Sequence, residues 1–111
     1  MLRRSHTATI EKNETYTSGF ETEPYETAWA AEAIWFVRVI DLAPQTTLRA
    51  HPQISPDGLF WCDKRDGPLL IRDRGQHALA LRDFGGWLRL RCELEGPEPR
   101  VKLMVHLALK E

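Results

Sequence analysis

Strict alternation of apolar and polar residues over the last quarter of the chain constrains its fold most. It runs through WLRLRCELEG at residues 87–96 and through VKLMVHLALKE at residues 101–111. Successive side chains of a β-strand point to opposite faces, so each run predicts a strand with one buried face. The short Pro-rich turn between them predicts an antiparallel hairpin. The predicted inward residues are Leu88, Leu90, Cys92 and Leu94 in the first run and Val101, Leu103, Val105, Leu107 and Leu109 in the second.

The middle of the chain repeats this pattern. Residues 47–55 alternate as well, and Pro52 cannot donate to a ladder, which predicts an edge strand or a bulge there. SPDG at residues 55–58 has the residue types of a type I turn and predicts a hairpin, with LFWCD as the returning strand. Alternation places Phe60 and Trp61 on opposite faces, so we expect one of them to fill the core.

The other segments also favour strands. Residues 33–41 are dense in β-branched and aromatic residues and apolar at both parities, which predicts a strand covered on both faces. The Ala-rich residues 26–33 leave a helix start open as an alternative. PLLI and QHALALRDF predict two more short strands, with Gly75 in a hairpin turn between them. The fold class predicted is all-β: a single antiparallel β-sandwich, jelly-roll-like, of about seven or eight short strands.

Length predicts one structural domain, since the chain has 111 residues. Residues 1–27 are polar and Thr-rich, and we expect them to form an N-terminal arm or thin strands. Residues 28–111 are expected to form the sandwich itself. An apolar share of 42% with four tryptophans indicates a packed core rather than a disordered chain.

Composition also limits the classes of partner that we expect. A net charge of −1 gives no reason to expect nucleic acid or an anionic membrane. No apolar run approaches the roughly 20 residues that span a bilayer. No apolar segment follows Arg3 and Arg4, so no secretory signal is predicted and the cytoplasm is the expected compartment.

Motifs for chemistry are weak, so we expect no enzyme, no cofactor and no metal. The four histidines have no partner at spacings of two or four residues, and there is no GxSxG nucleophile motif. The aspartates lie beside turns, where they accept local backbone hydrogen bonds. Cys62 and Cys92 lie in no redox or metal spacing, and both are expected to be buried thiols.

Five outward-facing residues are the candidates for a ligand site or an interface. They are Trp87, Arg89, Arg91, Met104 and His106. A few apolar anchors among charges of both signs are typical of an interface core and rim, which favours a homo-oligomer or a larger assembly as partner. Exposed tryptophan beside arginine is also typical of carbohydrate binding, which stays open as the alternative.

The order of these elements resembles that of small β-sandwich proteins of bacteria and their phages. The resemblance covers roughly residues 30–111 and depends on the SPDG turn before Trp61 and on the strands FGGWLRLRCELEG and VKLMVHLALKE. Pro52 departs from the pattern. The resemblance implies a jelly-roll part of a virion or other assembly without catalysis. We therefore predict a self-associating structural module, cytoplasmic or, if phage-derived, in the virion; the alternative is a small ligand-binding module, with carbohydrate first.

Overall fold

The computed structural model describes residues 3–111, which form two antiparallel β-sheets packed face to face and contain no helix. Six strands are long and four have only two or three residues. The strands are β1 (Ser5–Tyr16), β2 (Phe20–Glu21), β3 (Tyr25–Glu26), β4 (Glu32–Leu42), β5 (Thr47–Ser55), β6 (Cys62–Asp63), β7 (Leu69–Ile71), β8 (Gly75–Arg82), β9 (Trp87–Glu95) and β10 (Val101–Lys110).

The strand order defines eight positions in two layers. One sheet has four strands in the order β1-β10-β4-β8. The other has six, in the order β2-β9-β5-β6, with β3 also paired to β9 and β7 also paired to β5. Because β2 and β3 share one position and β6 and β7 share another, each sheet is four positions wide. The predicted antiparallel all-β sandwich is confirmed.

The predicted hairpin of the last two long strands is wrong. β9 pairs with β5 in the six-stranded sheet, whereas β10 pairs with β1 and β4 in the four-stranded sheet. The connection between them therefore crosses from one layer to the other. Gly96 in this connection has φ +145°, and a Cβ there would lie 2.7 Å from the carbonyl oxygen of Gln45. The turn is thus held against the β4–β5 connection instead of closing a hairpin.

The turn at Gly75 also connects strands of different sheets. Gly75 has the positive φ that the sequence predicts, +114°. The two short strands beside it are present, but β7 pairs with β5 and β8 pairs with β4, in different sheets. The predicted hairpin at this position is therefore wrong, and the glycine serves a second crossing between layers.

The strand predicted at residues 33–41 is confirmed as β4, and the alternative of a helix start at residues 26–33 is wrong. The prediction that both faces of this strand are covered is also wrong. Trp35 is fully buried in the core, whereas Ile34 and Ile40 on the other side are 36% and 37% exposed. Apolar residues at both parities here indicate an apolar surface and not a second core.

Pro52 lies in β5, which is flanked on both sides and is not an edge strand. The ladder on one side of it is interrupted, because β7 pairs only as far as Ala50 and β6 begins at Gln53. The Pro52 carbonyl accepts a hydrogen bond from the Lys64 amide at 2.8 Å on that same side. In an antiparallel strand the nitrogen and oxygen of one residue point the same way, so the missing donor faces the gap.

The first strands belong to both layers. β1 pairs along β10 from Ser5, opposite Lys110, to Tyr16, opposite Val101. β2 and β3 both pair with β9 in the other sheet. The core between the sheets includes the predicted inward residues of the last two long strands. Its largest fully buried side chains are Trp35, Leu48, Ile71, Leu81, Leu88, Leu90, Leu103, Leu107, Leu109, Val37, Val101 and Val105.

Candidate functional site

The five candidate residues lie on two opposite surfaces of the sandwich. Trp87, Arg89 and Arg91 point from β9 to the solvent side of the six-stranded sheet, the six-strand outer face. Met104 and His106 point from β10 to the solvent side of the four-stranded sheet, the four-strand outer face. Since the inward residues of β9 and β10 meet across the core, their outward residues point in opposite directions. The structure therefore does not bring the five together.

A chain of hydrogen bonds crosses three strands of the six-strand outer face. The Arg89 Nε donates to the Gln53 side-chain oxygen at 2.7 Å. The Gln53 amide donates to Asp63 at 2.8 Å, and Arg91 donates to the other oxygen of Asp63 at 3.1 Å. The Gln53 hydrogen bond and the Arg91 guanidinium lower the pKa of the Asp63 carboxyl. Asp63 therefore carries its charge within a network that the protein itself supplies.

The same face continues with paired charges. His51 pairs with Glu93 across β5 and β9, and Arg49 pairs with Glu95 in the same way. Arg91 also lies 3.6 Å from Glu93. These opposite charges satisfy one another across neighbouring strands, so the face is polar but largely compensated.

The indole rings of Trp61 and Trp87, near the six-strand outer face, are partly covered by other parts of the same chain. The Arg89 guanidinium lies 4.5 Å from the centroid of Trp61. The backbone at Gly58 lies over Trp87, because a Cβ there would be 3.2 Å from the Trp87 ring. Both contacts occupy a ring face that a sugar would use for stacking.

The SPDG stretch forms a compact turn stabilised by side chains. The Ser55 hydroxyl accepts a hydrogen bond from the Gly58 amide at 2.8 Å. One oxygen of Asp57 accepts from the Leu59 amide at 2.9 Å and from the Phe60 amide at 3.2 Å, and these bonds lower the pKa of this carboxyl. The predicted β5–β6 hairpin is present, with Ile54 opposite Cys62.

The predicted core role of the aromatic pair after this turn is wrong. Phe60 is 79% exposed and Leu59 is 74% exposed, while Trp61 is half-buried against Arg89. The Asp57 hydrogen bonds curl the chain outward, and ladder pairing resumes only at Cys62. An apolar loop tip results at one end of the sandwich.

A depression of about 370 Å³ lies beside this loop. Its lining residues are Ile54, Ser55, Pro56, Cys62, Phe84, Gly85 and Gly86. Cys62 is exposed here, so the expectation that both thiols are buried is wrong for this residue. Cys92 is buried as expected, and burial raises the pKa of its thiol to about 12. The difference arises because Cys62 begins a two-residue edge strand that no second layer covers.

The four-strand outer face is apolar at its centre. Strand registers place Ala108, Ile34 and Ala80 side by side across three strands. The next outward row contains His106, Phe36 and Ala78, and the row after it contains Met104, Arg38 and Gln76. Met104 and His106 are thus the two candidates that belong to a larger patch. Sequence reasoning missed the β4 residues of this patch because it assigned them to a covered face.

Charged residues border this patch at both ends. Lys110, Glu32 and Arg82 form the row beyond Ala108, and Arg82 pairs with Glu32. At the opposite end Lys102 lies opposite Asp41, which also accepts a hydrogen bond from Arg100 at 2.9 Å. Arg100 lowers the pKa of the Asp41 carboxyl. The face therefore has an apolar centre and a rim with both signs of charge.

One group of titratable residues lies where β1 passes to β2. Burial raises the pKa of the Glu11 carboxyl, and the Tyr16 hydrogen bond opposes this effect. Burial and the nearby Glu11 charge raise the pKa of Tyr16 to about 12. Tyr16 stacks on Phe20 with ring centroids 3.6 Å apart. The stacked pair partly shields Glu11 from water at the open edge between the sheets.

Residues 3–111 contain neither a cluster of metal-binding side chains nor a membrane-spanning helix. No three side chains of His, Cys, Asp or Glu come together there in a way that could hold a metal ion. None of the described segments is a helix long and apolar enough to cross a membrane.

The fold and these surfaces define a small antiparallel β-sandwich with one apolar and one polar outer face. No protein-family model matches the sequence, and no curated protein matches it. Among solved structures, it is similar to the SPBc2 prophage-derived protein YomS, with a TM-score of 0.59 and 7% identity over 100% of this chain and 96% of that chain. This similarity shows a shared fold along the whole chain.

A second solved structure, that of infectious bursal disease virus strain Gx, also matches. Its TM-score is 0.48 and its identity 11%, over 99% of this chain and 32% of that chain.

Proposed function

We propose that this protein is a non-catalytic structural module of a phage or virion-type assembly and that it associates with copies of itself. The observation that carries the proposal is the apolar centre of the four-strand outer face, where Ile34 is 36% exposed between Ala108 and Ala80 and next to Phe36 on its own strand. An apolar patch with a polar rim on a small soluble domain is typical of an interaction surface. The cytoplasm, or the virion of a phage-derived assembly, is the proposed location.

The strand order supports a jelly-roll module of this kind. Eight positions are divided equally between two sheets. From one position to the next the chain changes sheet each time, except between β5 and the position that β6 and β7 share. Double-sheet jelly rolls are used in viral capsid domains, among other proteins. The full-length likeness to a prophage-derived protein is consistent with a phage origin. Because fold alone does not define function, the proposal depends on the surface.

The polar outer face supports a role without catalysis. Asp63, Arg91 and Glu93 there hold one another in ion pairs, and the pKa of the Asp63 carboxyl is lowered and not moved toward neutrality. Acid–base catalysis requires a group whose pKa lies near the working pH. These groups instead act as cross-strand contacts that stabilise the sheet.

Carbohydrate binding, the alternative from the sequence, has weaker support. A sugar platform needs a free indole face, and Arg89 occupies one face of Trp61 while the Gly58 backbone occupies one face of Trp87. The exposed Phe60 lies at the loop tip and not in a groove beside these rings. A self-association surface accounts for the exposed Ile34 and Ile40 of β4, which a sugar site on the opposite face leaves unexplained.

Light scattering coupled to size-exclusion chromatography tests the proposal on the intact chain. We expect a defined mass that is a multiple of 12.8 kDa at micromolar concentration. A monomer at every concentration would contradict self-association. If the monomer also bound an oligosaccharide with a change in tryptophan fluorescence, carbohydrate binding would replace the structural role.

A further inference from the structure

We infer that the four-strand outer face is the self-association surface and that its occupant is the same face of a second copy, related by a two-fold axis. This inference rests on the proposed function, since it names the surface through which that function would operate. It is carried by the apolar centre of the face, its area, and the arrangement of charges at one end of it.

The apolar centre covers neighbouring positions of β4 and β8 and reaches β10 at Ala108. Ile34 and Phe36 of β4 are its largest side chains; Ile34 has small residues on both neighbouring strands, and Phe36 has a small residue on β8 and His106 on β10. The small flanking residues are Ala78 and Ala80 on β8 and Ala108 on β10. The surface is therefore low on both sides of Ile34 and on the β8 side of Phe36. A second sheet of the same shape can place its own large side chains over these low positions, as in the packing of two sheets in a sandwich.

The size of the face agrees with a dimer. β10 has ten residues, which span about 33 Å at roughly 3.3 Å per residue. Four strands about 4.8 Å apart span roughly 19 Å, which gives a projected area of about 600 Å². Side-chain relief increases the accessible area above the projected one. A specific interface uses about 800 Å² per partner, so a second copy would cover the entire face.

The charges at one end of the face are complementary to those of a second copy. Lys110 and Glu32 are register partners on neighbouring strands, β10 and β4. A two-fold axis parallel to the strands and between these two strands exchanges their positions. Lys110 of one chain then faces Glu32 of the second, and this contact occurs twice, as in any isologous interface. The same axis places Ala108 opposite Ile34, a small residue against a large one.

The loop tip is the strongest rival surface. Leu59 and Phe60 are more exposed than the large apolar residues Ile34 and Ile40 of β4. They form a narrow tip of two side chains beside the depression next to Cys62. The tip therefore supplies less area than a stable dimer needs, and its involvement becomes one outcome of the test.

Sedimentation velocity on the full chain and four variants distinguishes these surfaces, with Phe60→Ser as the variant at the loop tip. Ile34→Glu and Ala80→Glu place a carboxylate in the apolar centre, and we expect each to weaken association at least about tenfold. Leu70→Glu is the matched control, because Leu70 is 47% exposed on a strand of the other sheet. It should associate as the unmodified chain does. Circular dichroism melts confirm that the variants fold.

A charge exchange tests the two-fold geometry itself. Lys110→Glu places like charges opposite each other in the dimer, and Glu32→Lys does the same with positive charges. Each should weaken association, and the double variant should restore it. Because Lys110 and Glu32 are also neighbours within one chain, the decisive result is restored association when the Lys110→Glu chain is mixed with the Glu32→Lys chain. In that mixture only the contacts between chains regain opposite charges.

The outcomes separate the inference from the function on which it rests. If the unmodified chain is monomeric, the proposed function fails and the inference fails with it. If the chain self-associates and Ile34→Glu and Ala80→Glu leave association unchanged, the inference alone is overturned. Loss of association in Phe60→Ser but not in Ile34→Glu assigns the interface to the loop tip and also overturns it.

Discussion

Gly67 lies directly against the ring of Pro52: a Cβ added at Gly67 would come within 2.3 Å of Pro52 Cδ. Pro52 occupies an interior strand, where a missing N–H donor normally weakens the ladder. The chain between β6 and β7 passes close to the ring at this point, and only glycine leaves room for it. A proline in a flanked strand is therefore accommodated by a gap in the neighbouring ladder and by a glycine facing that gap.

Substitution of this glycine should destabilise the fold. We expect Gly67→Ala to lower the free energy of unfolding by about 1–3 kcal/mol, because the added methyl group overpacks the contact with Pro52. The neighbouring exposed substitution Arg65→Ala serves as the control in urea melts. Pro52→Ala removes the ring, so a double variant should lose less than the sum of the two single variants. Additive losses would show that the two residues do not interact.

The inward registers of β9 and β10 predict which leucines carry the core. Leu90→Ala and Leu103→Ala should each cost about 2–5 kcal/mol, since both side chains are fully buried between the sheets. The outward substitution Lys102→Ala should cost less than about 1 kcal/mol. Urea unfolding of the three variants compares them. A larger loss for Lys102→Ala than for either leucine would place the strand register one residue off.

The two thiols should react at very different rates. Cys62 is exposed and should react with a thiol reagent in the folded protein. Cys92 should react only on unfolding, because burial excludes the reagent and raises the pKa of its thiol to about 12. Counting modified thiols by mass spectrometry tests this, with Cys62→Ser as the control that removes the native reaction. Two modified thiols in the native state would contradict the burial of Cys92.

Replacing Glu11 should stabilise the protein at neutral pH. Burial raises the pKa of this carboxyl in the folded state, so the folded protein binds the proton more tightly than the unfolded chain does. Stability is therefore lost as pH rises from the unfolded pKa, about 4.3, through the higher folded pKa. Glu11→Gln removes this loss, so the free energy of unfolding at pH 7 should rise. The gain should be less than about 1 kcal/mol, because the carboxyl is half-exposed and its charge is screened by water.

The pH dependence supplies the control for Glu11. Below the unfolded pKa the carboxyl is protonated in both states, so the advantage of Glu11→Gln in urea melts should disappear there. Glu14→Gln, at an exposed position of the same strand, should show little change at either pH. An unchanged or lower stability of Glu11→Gln at neutral pH would contradict the inferred cost of burying the charge.

Period-two alternation established the faces of the strands but not their partners. Leu90 and Leu103 were correctly assigned inward, yet their strands belong to different sheets. Alternation reports which side of a strand is buried, and a strand from either layer meets that condition equally well. The sheet to which each strand belongs is determined by long-range pairing. β9 pairs with β5, and β10 pairs with β1 and β4, and no local sequence pattern encodes these partners.

The candidate site was limited by the same ambiguity. The prediction that Trp87 and Met104 point away from the core is correct. Because β9 and β10 lie in opposite sheets, the two side chains point to opposite surfaces of the sandwich. Ile34 and Phe36 were missed because an apolar strand looks the same whether its second face meets a core or a partner. Phe60 was misplaced because two hydrogen bonds to Asp57, and not hydrophobicity, decide where the loop tip points.

Hydroxyl-radical footprinting at low and high protein concentration tests the central claim, that the four-strand outer face is covered by a second copy. Mass spectrometry measures the extent of oxidation of Met104 and Phe36 on that face. Phe60 at the loop tip, which is 79% exposed, serves as an internal reference. We predict that labelling of Met104 and Phe36 falls as the oligomer forms, while that of Phe60 stays constant. Equal labelling of Met104 and Phe36 at both concentrations, or protection confined to Phe60, would contradict it.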